Sequence, residues 1–139
     1  MTYDDFRREY DAVLRAGMSG GLDGLDLRDE LARLTAFSGQ LEPADRDRAV
    51  AELDELRAIV DRQDTGPMPP ATEEALAIVT RAQAVQGSPA DRIAAAEQAV
   101  AELNELAEVQ ADERDARAVL RLAEPLVLLA GSLALDGEQ

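Results

Sequence analysis

Carboxylates and arginines are the only strongly reactive side chains in this chain. Histidine, cysteine, tryptophan and lysine are all absent, and all 14 basic residues are arginine. That removes thiolate and imidazole metal sites, Ser-His and Cys-His catalytic pairs, Schiff-base lysines and the phosphate-loop lysine. What remains is acid. Glu52 with Glu55, and Glu102 with Glu105, stand three residues apart, so each pair shares one helix face. Such pairs can hold Mg²⁺ through carboxylate oxygens, but the solvated face of an amphipathic helix has the same spacing. We therefore assign no catalytic residue, no metal and no cofactor. Asp4 and Asp5 suit the positive end of a helix dipole.

Three further groups are suited to binding. Tyr3, Phe6 and Tyr10 form an aromatic stripe at helical spacing, which either packs on the rest of the fold or docks on a partner. Arg114, Arg117 and Arg121 can pair with carboxylates on a partner. Leu126, Leu129 and Leu133 belong to an apolar tail, residues 125–135, that is apolar all round. Such a helix is either the most buried one or an oligomer interface, and a homodimer through it is one expectation.

Gly and Pro divide the sequence into the elements that position these residues. At 139 residues the chain predicts a single helical domain over residues 1–139. The fold class expected is all-α, a compact bundle of about six helices. The first spans residues 3–16, with Thr2 as its cap, and a Gly-rich hinge completes residues 1–24. The second, residues 26–38, presents Leu27, Leu31, Leu34 and Phe37. The third, residues 43–62, starts on Pro43 and buries Val50, Leu53, Leu56, Ile59 and Val60. A Pro-rich loop, residues 64–71, follows. The fourth helix starts after Thr72. The fifth is capped by Ser88, starts on Pro89 and presents Ile93, Ala96, Val100, Leu103 and Leu106. A break near Ala111 and Asp112 leads to a last helix, residues 112–134, which Pro125 should kink.

The middle of the chain repeats. Pro43-Ala44-Asp45-Arg46 returns as Pro89-Ala90-Asp91-Arg92, and Ala49-Val50-Ala51-Glu52-Leu53 returns as Ala99-Val100-Ala101-Glu102-Leu103. The offsets differ by about one helical turn, which keeps the apolar face in phase. Two related helical hairpins result. Their turns and second helices resemble those of tetratricopeptide-like repeats over residues 27–110, at a spacing longer than that family's period of about 34. The resemblance implies a protein-binding module. The Glu52–Glu55 pair is also similar to half of the metal motif of the all-α nucleoside triphosphate pyrophosphatases. Their second half, Glu-x-x-Asp on a later helix, has no counterpart downstream.

The net charge of −15 argues against a nucleic-acid binder and against docking on an anionic membrane. The acids interleave with apolar residues, as on solvated helix faces. The acidic start lacks the pattern of a signal peptide, and residues 125–135 are shorter than the roughly 20 needed to span a bilayer. The expected location is cytoplasmic. Arginine without lysine in an alanine-rich chain suggests a GC-rich bacterial genome. The expected function is a non-enzymatic interaction or adaptor module that binds another protein. The rivals are a small helical enzyme or ligand-binding protein with a pocket inside the bundle, and an acidic inhibitor of a nucleic-acid-binding protein.

Overall fold

The computed structural model describes residues 2–63 and 66–137. It is all-α, with seven helices and no strand among the described residues. In chain order these are α1 (Tyr3–Met18), α2 (Gly24–Ser38), α3 (Pro43–Arg62), α4 (Pro70–Gln83), α5 (Pro89–Glu108), α6 (Glu113–Arg121) and α7 (Glu124–Gly137). They form two compact units, Met1–Met68 and Pro69–Gln139. The division falls inside the Pro-rich loop. Asp64 and Thr65 of that loop lie outside the described residues.

The first unit is the hairpin α2–α3 with α1 laid against both helices. A capping box starts α1: the Asp5 amide donates to Thr2 Oγ1, and the Thr2 amide donates to Asp5 Oδ2. The bond from the Thr2 amide, followed by that from its hydroxyl, holds the Asp5 carboxyl below its usual pKa. One apolar face of α1, made by Phe6, Tyr10 and Val13, enters a core with Leu31, Leu34 and Phe37 of α2 and Leu53, Leu56 and Val60 of α3. Val50 of the predicted seam is instead half-exposed, and Ala49 takes the buried position beside it. The predicted hinge is shorter than expected. Helix α1 continues through Gly17, where an added Cβ would stand 3.1 Å from Leu27 Cδ2, and the Asp23 side chain caps α2.

The second unit is the hairpin α4–α5, with α6 and α7 both packed on α5. Helix α4 begins at Pro70, earlier than predicted, and Thr72 is buried in its first turn. Ser88 caps α5 as expected, its Oγ accepting from the Asp91 amide. Ala96, Ala99 and Leu103 are buried along α5. Asp112 caps α6 through bonds from the Arg114 and Asp115 amides.

Pro125 does not kink one long helix. The chain breaks before it into α6 and α7, giving seven helices where about six were expected. Without an N–H, Pro125 cannot bond the Arg121 carbonyl. The amides of Leu122 and Ala123 turn back to Val119 and Leu120, three residues earlier, and tighten the end of α6. Pro125 then sits in the first turn of α7, where no intrahelical donor is needed.

The two hairpins keep the repeat. Helices α3 and α5 each have 20 residues and each begins on Pro-Ala-Asp-Arg. Their turns are built differently. Gly39 keeps a helical φ of −65°, and Arg46 reaches back to the carbonyls of Gly39 and Leu41. Gly87 has φ +133°, and a Cβ there would meet Asp91 Oδ2 at 2.9 Å, so the second turn requires glycine.

Candidate functional site: the outer face of α6 and α7

Helix α7 has two apolar sides. Leu126, Leu129 and Leu133, spaced i, i+3, i+7, share one of them. Leu126 and Leu133 are buried and Leu129 is partly buried. These three were the expected contact residues, and Leu126 and Leu133 are corrected to core. Val127, Leu128, Gly131 and Leu135 share the opposite side. Val127 is 57% exposed, Leu128 47% and Leu135 66%. The expected residues therefore lie on the inner side of this helix, and the exposed apolar residues on the outer one. A helix that is apolar all round has no periodic signal to orient it.

The outer side of α7 continues across the break onto α6. A surface groove of about 540 Å³ is lined by Leu120, Ala123, Val127 and Leu128 together with Arg117, Arg121 and Glu124. Leu120 is 45% exposed. Two of the three predicted arginines, Arg117 and Arg121, are exposed on this groove; Arg114 is partly buried and outside its lining. The groove can offer both apolar contact and charge, as interaction surfaces do. Read end to end, Glu113–Leu135 is long and apolar enough to cross a membrane, more so than residues 125–135 alone suggest. The break at Leu122 and Ala123 divides it into two helices that both pack on α5.

The aromatic stripe has a different fate. Phe6 and Tyr10 are buried in the first unit, as in the packing alternative, and not exposed for docking. Tyr3 is partly buried against the same cluster. Its hydroxyl donates to Glu52 Oε1 at 2.6 Å, and Arg7 pairs with the same oxygen. The Tyr10 hydroxyl donates to the Glu52 carbonyl at 2.9 Å. Arg48 lies 3.9 Å from the Tyr3 ring centroid, a cation–π contact. The Glu52 bond, then burial, raises the Tyr3 phenol above its usual pKa. Burial, then the Glu55 and Glu52 charges, raises Tyr10. Glu52 is thus committed to its own unit through Tyr3 and Arg7, while Glu55, Glu102 and Glu105 are exposed. No group of three acidic side chains stands close enough to hold a metal among the described residues.

Sequence reasoning also missed a buried ion cluster on α2. Arg33 bonds Glu30 at 2.7 Å, both nearly enclosed, and reaches the more exposed Glu9 of α1 at 3.3 Å. An i, i+3 charge pair on a helix normally reads as solvated surface, and nothing in the sequence marks this one as buried.

Together these features define an all-α protein of two repeated helical hairpins, one of which carries an exposed apolar helix face. Compared with protein-family models, with curated proteins and with solved structures, the chain matches none.

Proposed function

We propose that this chain is a non-enzymatic protein–protein interaction module, and that its docking surface is the outer face of α6 and α7. The observation that carries this reading is the exposure of Leu120, Val127 and Leu128 in one groove with Arg117 and Arg121, with Leu135 exposed further along the same side of α7. An exposed apolar patch gains free energy when a partner covers it. The rival, a pocket inside a bundle, has less support. Tyr3 and Tyr10, its candidate polar groups, are bonded to Glu52.

The test is site-specific photo-crosslinking in cells that express the chain. A crosslinker replaces Leu128, and a control replaces Arg57, an exposed residue of the other unit. One dominant adduct at position 128, absent at position 57, is expected. No adduct at 128, or the same adducts at both positions, would overturn the reading.

A further inference from the structure

We infer that the occupant of the α6–α7 face is a second copy of this chain, held in a two-fold contact in which the outer sides of two α7 helices cross at Gly131. The inference rests on the reading of this face as a docking surface, and it names the partner.

Two observations carry it. The first is Gly131 itself. Glycine is the least favourable residue inside a helix after proline, and Gly131 lies in the interior of α7. Nothing among the described residues requires it. It is exposed, and an added Cβ would meet no atom within 4 Å beyond its own helix. Its φ is not in the left-handed region. A second helix laid across α7 gives the glycine a use, because a missing Cβ lets two backbones approach closely. Val127 and Leu128 lie one turn before it on the same side, and Leu135 lies one turn after. They would surround the crossing point.

The second observation is charge. Copies of a chain with net charge −15 repel one another. They can approach where acid is scarce. Residues 116–135 contain two arginines and one acid, whereas the whole chain has 14 arginines against 29 acids. A basic partner would be drawn to the acidic surfaces elsewhere. A two-fold contact also demands a patch that complements itself, and an apolar side that is close to neutral does so.

The experiment uses the full chain. Sedimentation equilibrium from about 1 to 100 µM covers the affinities expected of a modest contact. A monomer–dimer equilibrium is expected. Leu128→Asp, at an exposed position, should leave the helical circular dichroism unchanged and the chain monomeric. Gly131→Ala is the sharper variant. It should raise the melting temperature of the dilute monomer, because alanine favours helix, yet weaken dimerisation by at least about tenfold, or 1.4 kcal/mol.

A chain monomeric throughout would overturn the inference, as would a dimer indifferent to both substitutions. The docking reading can fail separately. A monomer that captures a different protein through position 128 keeps the docking surface and removes the second copy. A monomer that captures nothing removes both. A monomer that floats with phosphatidylcholine vesicles assigns the face to a bilayer and also removes the second copy.

Discussion

The two units start from related hairpins and close them in different ways. The first unit lays one helix, α1, across its hairpin. It contains all four aromatic residues of the chain, and α1 supplies three of them. The second has no aromatic residue and closes with two short helices, α6 and α7. Phe6 and Tyr10 fill volume on one side of α1, and the exposed Asp4, Arg8 and Arg15 lie on the other, so closure leaves a polar exterior. Helix α7 meets α5 with leucine on one side and shows leucine and valine on the other. Of the eight exposed large hydrophobic residues described, six are in the second unit. A repeated hairpin cannot bury its apolar face alone. What closes it decides whether apolar surface is left over, and in the second unit it is.

The largest expected effect tests that difference directly. Phe6→Ala removes a fully buried ring from the closing helix of the first unit, and about 4 kcal/mol of stability should go with it. Leu126→Ala, at the matching place in the second unit, should cost about 3 kcal/mol. Denaturant unfolding gives the totals, and hydrogen exchange shows which helices lose protection. The comparison breaks if Phe6→Ala costs less than about 1 kcal/mol, since α1 would then not be closing a core.

Much of this architecture was legible beforehand, and the reasons are local. Pro43 and Pro89 at helix starts, Thr2 and Ser88 as caps, and Leu53 and Leu103 on repeated faces are all set by interactions within a few residues. What was not legible involves longer range. The division into two units depends on which helices pack together, which periodicity does not report. Pro125 was expected to kink one last helix, residues 112–134, yet whether a proline kinks or breaks a helix depends on how α6 and α7 each pack on α5. The candidate site was half legible. Arg117, Arg121 and the apolar tail were chosen, but Leu126 and Leu133 were taken where Val127, Leu128 and Leu135 are exposed. The orientation of an all-apolar helix is decided by its neighbour.

A smaller effect comes from one position of the repeat. Glu52 and Glu102 correspond in sequence, but only Glu52 accepts bonds from a closing helix, from Tyr3 and Arg7. Glu52→Ala leaves the partly buried Tyr3 hydroxyl without its acceptor and should cost about 1–2 kcal/mol. Glu102→Ala, at an exposed site, should stay within about 0.5 kcal/mol. Equal costs at the two positions would mean that the polar tie between α1 and α3 contributes nothing.

The smallest effect is a pH dependence confined to the first unit. Tyr3 and Tyr10 are the only tyrosines, and both phenols are raised: Tyr3 first by its bond to Glu52, Tyr10 first by burial. A raised phenol means that the fold prefers the neutral form. The associated stability is therefore fully present below the unfolded value, near 10, and is lost as pH rises through the higher folded values. Phenolate formation also places negative charge beside Glu52. Tyrosine absorbance followed through an alkaline titration should show ionisation displaced upward from free tyrosine, with hydrogen-exchange protection falling in α1 before it falls in α5. Tyr3→Phe should remove part of the displacement and leave α5 unaffected. If protection in α5 fell first, the alkaline weak point would lie outside the aromatic closure, and α1 would not be what distinguishes the two units at high pH.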